Sequence, residues 1–140
     1  MAEVVSAVVT DELVDINNVA ALVKDVSCGA VVTFTGDVRN HDGGKEVLIL
    51  TYEIHPSAGQ EIIRITQETS NKFDVVKVAV AHRYGQIPIG QTAFAVAVSA
   101  HHRESAFEAC QALVNTVKAE LPIWKHQVFT DGSDEWVNTA

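Results

Sequence analysis

Cysteine and basic residues are scarce in this 140-residue chain, and each scarcity excludes a class of protein. The two cysteines, Cys28 and Cys110, form no CxxC pair and are too few for a disulfide framework. Ten Lys and Arg residues stand against 18 Asp and Glu, which gives a formal net charge of −8. Nucleic acids and anionic membranes select basic surfaces, so neither is an expected partner. Any anion site must therefore be local, built from a few converging cations.

Long apolar runs and the common catalytic motifs are absent as well. No segment approaches the roughly 20 apolar residues of a membrane span, and residues 1–4 have no signal-peptide character, which predicts a cytoplasmic protein. Without GxGxxG, P-loop or GxSxG patterns, nucleotide-binding and serine-hydrolase functions lack support. No HExxH, HxH or Cys-His cluster has ligand spacing, so we expect no metal and no cofactor. A metal-dependent hydrolase using His82, His101 and His102 remains a minor alternative.

The hydrophobic pattern predicts one α+β domain over residues 1–140. Strands are predicted at 4–9, 29–38, 47–52, 75–83, 92–99, 124–129 and 135–137. Helices are predicted at 15–24, at 56–73 and from a Ser105-x-x-Glu108 capping box to Pro122. The polar, glycine-containing loop at 39–44 predicts that strands 29–38 and 47–52 form a hairpin.

Cationic side chains concentrate around the last predicted helix. His101, His102 and Arg103 precede its start, where unpaired backbone N–H groups and the helix dipole favour anions. Lys118 and Lys125 bracket the proline at its end. A solvated turn and a lysine favoured only by the helix dipole are the simpler interpretations, and spacing alone does not exclude them.

Four segments of the chain together resemble one family. The segments GAVVTFTGDVRNHDGG, HRYGQIPIGQ, SAHHRESAFEAC and KAELPIWKHQ are similar, in family order from 29 to 137, to the large, catalytic subunit of molybdopterin synthase. The resemblance implies an α/β-hammerhead fold and a homodimer within a heterotetramer, each copy binding one small ubiquitin-like subunit. It also implies a sulfurtransferase of molybdenum cofactor biosynthesis. Sulfur would pass from the thiocarboxylated C-terminus of the small subunit to cyclic pyranopterin monophosphate, forming the dithiolene of molybdopterin.

The same resemblance assigns roles to individual residues. It implies that Lys118 and Lys125 are catalytic. It implies that both lysines also bind the substrate, together with Arg39, His102 and Arg103. Phe34 would lie in the channel for the partner's tail. The chain departs from the family pattern at Asp37 and His126, and it ends at Ala140, where many members continue with another basic residue. That ending favours the alternative of a non-catalytic module that only docks the ubiquitin-like partner.

Helix geometry adds one expectation about assembly. At about 1.5 Å per residue, Arg103 and Lys118 would lie roughly 20 Å apart along the helix axis. A compact pterin would hardly span that gap. We therefore expect a composite site, in which His102 and Arg103 of one copy face Lys118 and Lys125 of the other across a two-fold axis.

Overall fold

The computed structural model describes residues 1–138, so the end of the predicted domain at Ala140 lies outside the described residues. The described part contains nine strands and three helices. The strands are β1 (Glu3–Thr10), β2 (Ala30–Asp37), β3 (His41–Asp42), β4 (Lys45–Ile54), β5 (Lys77–Arg83), β6 (Gly85–Ile87), β7 (Thr92–Ala100), β8 (Ile123–Phe129) and β9 (Asp134–Val137). The helices are α1 (Ile16–Leu22), α2 (Ala58–Ser70) and α3 (Arg103–Glu120). This content confirms the predicted α+β class.

The strands form two sheets. The first has the order β1-β5-β7-β2, with β1 parallel to β5 and the other pairs antiparallel. The second has the order β3-β4-β8-β9, and β6 also pairs with β4. One cluster of buried apolar side chains includes residues of both sheets together with α2 and α3.

The two central strands of the first sheet separate large from small side chains. Val78, Val80, Val96 and Val98 belong to the main core with α2 and α3. The alternate positions are alanines, and they pack in a second cluster with Val19 of α1 and with Val14 and Val23 at its two ends. Because successive side chains of a strand point to opposite faces, this alternation puts α1 on the other side of the sheet. The small alanines let that short helix approach closely.

The predicted hairpin between the second and third predicted strands is wrong. β2 pairs along its length with β7, whereas β4 pairs with β8 in the other sheet. Where β2 ends, Val38 N–H donates to Gln91 O at 2.9 Å and Gly90 N–H donates to Val38 O at 2.7 Å. The polar loop instead closes the short β3–β4 hairpin, in which Gly43 and Gly44 both have positive φ, as a tight primed turn requires.

The predicted capping box at the start of α3 is also wrong. The helix begins at Arg103, two residues before Ser105, and His102 occupies the N-cap with extended φ and ψ of −127° and 150°. His102 makes no side-chain capping hydrogen bond. The predicted apolar stripe is confirmed, since Ala106, Cys110 and the two following members are buried on α3 and Leu121 is buried just beyond it. Tertiary packing of this stripe therefore sets the helix position more strongly than the local capping signal. No helix within residues 1–138 is long and apolar enough to cross a membrane.

Candidate active site

A cavity of about 270 Å³ opens where the two sheets meet the C-terminal end of α3. Its wall is assembled from segments that are far apart in the sequence. They are residues 36–39, His41 and Asp42, Leu50 and Tyr52 of β4, His82 of β5, Ala93 and Phe94 of β7, Lys118 of α3, and Lys125 and Gln127 of β8. The fold therefore gathers both charged and aromatic side chains around one space.

The two lysines of the cavity flank the connection between α3 and β8. Lys118 lies in the last turn of α3, and Lys125 follows on β8, after the buried Leu121 and the half-buried Pro122. Burial lowers the pKa of Lys118 below its ordinary value, and the positive charge of Lys125 lowers it further. A lysine with a lowered pKa loses its proton more readily than an ordinary lysine and is better suited to proton transfer.

A cation and a carboxylate come to the cavity from the loop after β2. Arg39 is 65% exposed, and its Nη2 lies 3.4 Å from Asp42 Oδ1. The side-chain amide of Gln127, only 2% exposed, donates to Asp42 Oδ2 at 2.6 Å. This hydrogen bond, with the charges of Lys125 and Arg39, holds the pKa of Asp42 below its usual value. The carboxylate is therefore ionised at neutral pH beside three cationic side chains.

One part of the cavity wall is built from three uncharged rings that pack against one another. Tyr52 meets the His82 ring edge-on with centroids 4.9 Å apart, and Phe94 stacks on His82 at 5.3 Å. Burial lowers the pKa of His82 to about 4 and raises that of Tyr52 to about 12. Both groups are therefore neutral at physiological pH, and the charge of the site comes from the two lysines, Arg39 and the carboxylates of Asp37 and Asp42.

The remaining residues predicted for the site lie elsewhere. His102 and Arg103 are exposed at the opposite end of α3. Arg103 and Lys118 are fifteen residues apart on this uninterrupted helix, a rise of about 22 Å. Phe34 lines a separate groove between β2 and α3, although its ring lies 5.7 Å from that of the cavity residue Phe94. The structure thus brings together Arg39, Lys118 and Lys125, and it leaves out the other three.

Sequence reasoning missed most of the cavity wall. Asp42, Tyr52, Phe94 and Gln127 carry no local motif, and only the pairing of distant strands brings them together. The sequence suggests a role for His82 only as a metal ligand with His101 and His102. Within residues 1–138, no three His, Cys, Asp or Glu side chains are grouped so that they could hold a metal ion.

Comparison with known proteins gives a consistent result. The family model described as MoaE protein matches residues 9–120. The molybdopterin synthase catalytic subunit of Dictyostelium discoideum is 36% identical over 132 residues, which cover 91% of this chain and 84% of that protein. The crystal structure of molybdopterin synthase from Staphylococcus aureus has a TM-score of 0.86 and 29% identity, covering 94% of this chain and 96% of its own.

A more distant likeness extends the fold comparison. A chain from a complex of subunits 1 and 2 of molybdopterin-converting factor from Helicobacter pylori has a TM-score of 0.61 and 23% identity, covering 80% of this chain and 72% of its own. At that identity the likeness concerns the fold alone. The family model spans most of the chain, and the D. discoideum relative matches nearly all of it. This chain therefore belongs to the MoaE protein family.

Proposed function

We propose that this chain is a catalytic subunit of molybdopterin synthase. It transfers sulfur from the thiocarboxylated C-terminus of a small ubiquitin-like subunit to cyclic pyranopterin monophosphate, forming the dithiolene of molybdopterin. The observation that carries the proposal is the convergence of Arg39, Lys118 and Lys125 on one cavity in a chain of net charge −8. Relatives named as molybdopterin synthase catalytic subunits support it.

The charge of the cavity suits both reactants. The cyclic phosphate of the pterin and the thiocarboxylate of the tail are anions, and they repel each other in the absence of cations. The three cationic side chains outnumber the two carboxylates of the cavity, Asp37 and Asp42, so they offset that repulsion and attract both groups. The exposed Arg39 can present its guanidinium fork to the phosphate, and ion pairing with Asp42 through a single nitrogen leaves its other N–H groups available.

Lys118 has the environment expected of the principal catalytic group. Its lowered pKa makes its proton easier to transfer, and its ammonium form can still donate to a developing oxyanion. In the proposed reaction Lys118 stabilises the tetrahedral oxyanion or transfers protons as the acyl–sulfur bond breaks. Lys125 assists this step or holds the substrate, and its charge helps to keep the pKa of Lys118 low.

A second copy of the chain would complete the site. His102 and Arg103 are exposed at the N-terminus of α3, where the helix dipole favours an anion. The rise along α3 is too great for one copy to use both helix ends on one compact substrate. We therefore propose a homodimer in which each site combines the lysine end of one copy with the His102–Arg103 end of the other. With one small subunit per copy, and Phe34 in the channel for its tail, the assembly is a heterotetramer.

A cytoplasmic location belongs to the same proposal. Cys28 and Cys110 are free thiols, as is usual in a reducing compartment. Burial raises the pKa of Cys110 to about 11, so this thiol is protonated and inert at neutral pH.

Reconstitution tests the proposed function directly. The purified chain is combined with thiocarboxylated small subunit and cyclic pyranopterin monophosphate, and the dithiolene-bearing pterin is measured. We expect product from the wild-type chain, loss of nearly all activity in Lys118→Ala, and full activity in Lys24→Ala, an exposed lysine outside the cavity. Tight binding of the small subunit without any product would indicate a docking module, and equal losses in both variants would argue against a specific role for Lys118.

A further inference from the structure

One buried nitrogen of the cavity has no hydrogen-bond partner. His82 is 1% exposed, and no atom within residues 1–138 forms a hydrogen bond with its Nε2. Buried polar atoms are nearly always paired, because desolvating them without a partner is costly. An orphaned atom in a cavity wall therefore calls for a functional explanation.

The local hydrogen bonding decides what this nitrogen can do. His82 Nδ1 lies 2.8 Å from the carbonyl oxygen of Arg83, which can only accept. Nδ1 must therefore carry the ring proton, and in the neutral ring Nε2 has only its lone pair. Burial, with the charge of Lys118, lowers the pKa of His82 to about 4, so the ring is neutral at physiological pH. His82 Nε2 is therefore a hydrogen-bond acceptor that has no donor within residues 1–138.

The surroundings of the ring restrict where that donor comes from. Tyr52 and Phe94 pack against the ring, and His82 lies on β5, which is flanked in the first sheet by β1 and β7. A new partner has to approach through the cavity that His82 lines. The groups that the cationic side chains attract, phosphate and thiocarboxylate, have no proton to donate when ionised. In a ligand that carries those anionic groups, the donor is an N–H or O–H group of its uncharged part.

We propose that His82 is a substrate-binding residue whose Nε2 accepts a hydrogen bond from an N–H group of the reduced pterin ring. This inference rests on the proposed function and assigns a task within the same site. The cations bind the anionic groups of the ligand. His82 forms a hydrogen bond with the heterocycle and fixes its orientation relative to Lys118. The cavity thereby selects a ligand that combines an anionic group with a hydrogen-bond donor.

Three substitutions separate this role from a structural one. His82→Phe keeps an aromatic ring between Tyr52 and Phe94 but removes the acceptor, and His82→Gln keeps an acceptor near the position of Nε2. Ser99→Ala changes another fully buried polar residue of the same sheet, outside the cavity. Thermal unfolding establishes that each variant folds, and His82→Leu carries the same test if the larger phenyl ring prevents folding.

Calorimetric binding of cyclic pyranopterin monophosphate is the principal measurement, because it does not require turnover. We expect about tenfold weaker binding by His82→Phe, and binding within about threefold of wild type by His82→Gln and Ser99→Ala. Sulfate, an anion without a donor, is measured as a competitor and should bind all four proteins equally.

Each outcome has a distinct meaning. If His82→Phe binds the pterin within about twofold of wild type, the proposed role of His82 is overturned and the proposed function is left intact. Equal weakening of pterin and sulfate binding also overturns it, because it indicates general damage to the cavity. A wild-type chain that neither binds nor converts the pterin refutes the proposed function itself.

Discussion

Mixing two inactive variants provides a quantitative test of the composite site. Arg103→Ala removes the guanidinium at the N-terminus of α3, and Lys118→Ala removes the ammonium at its C-terminus, about 22 Å away along the helix. If each site combines opposite ends of two copies, a mixed dimer contains one site that lacks both groups and one site that is intact. Mixing should therefore restore activity that neither variant has alone.

The expected recovery follows from the symmetry of the dimer. Random re-pairing of equal amounts gives about half mixed dimers, each with one intact site of two, so activity should approach about one quarter of wild type. The assay is dithiolene formation with saturating thiocarboxylated small subunit, after incubation long enough for the copies to exchange. Size-exclusion chromatography with a tagged copy confirms that exchange has occurred.

A same-end pair is the matched control. Lys118→Ala and Lys125→Ala remove groups from the same half of the site, so each site of their mixed dimer lacks one lysine and no activity should return. Recovery in this control would mean that the lysines act in different sites. Absence of recovery in the opposite-end pair, with exchange demonstrated, would refute the composite geometry.

Three further predictions concern stability and charge. Leu113→Ala, which truncates a fully buried side chain of α3, should lower the free energy of unfolding by about 3 kcal/mol in urea titrations. The exposed Phe107→Ala serves as its control and should have little effect. Because the pKa of His82 is about 4 in the folded chain and about 6.5 when unfolded, the unfolded state binds more protons between these values. Stability should fall by about 3 kcal/mol from pH 6.5 to pH 4, and His82→Phe should lack this part of the fall in urea titrations. Lys125→Met removes a like charge and should raise the pKa of Lys118, so acylation of Lys118, followed by peptide mass spectrometry, should shift to higher pH while that of Lys24 does not.

Most elements of the fold could be predicted from local pattern. The valine-rich runs and the apolar stripe of α3 carry their own periodicity, and the structure has strands and helices there. Strand pairing could not be predicted in the same way. β2 has side chains that suit a hairpin with β4 equally well, and only the distant β7 determines its actual partner. Hydrophobic alternation indicates that a strand has a buried face and not which strand lies beside it.

The residues of the candidate site also differ in how well the sequence predicts them. The lysines on either side of Pro122 are close in sequence, so their meeting in one cavity follows from a short connection. His82 and Asp42 reach that cavity on β5 and β3, and nothing near them in the sequence indicates it. His82 is singled out by its unpaired Nε2, and Asp42 by its hydrogen bond from the distant Gln127. Only the three-dimensional structure reveals these two features.

The uninterrupted length of α3 has a consequence for how this protein can evolve. One residue inserted between Arg103 and Lys118 would advance the lysine by about 1.5 Å and turn it by about 100° around the helix axis. In the proposed dimer such a change would misalign two sites at once, since each helix would contribute to both. Divergence within α3 should therefore proceed by replacement of residues at constant length, while insertions and deletions accumulate in surface turns such as the one between β8 and β9. The fifteen-residue interval should be a more durable signature of descent than the side chains within it.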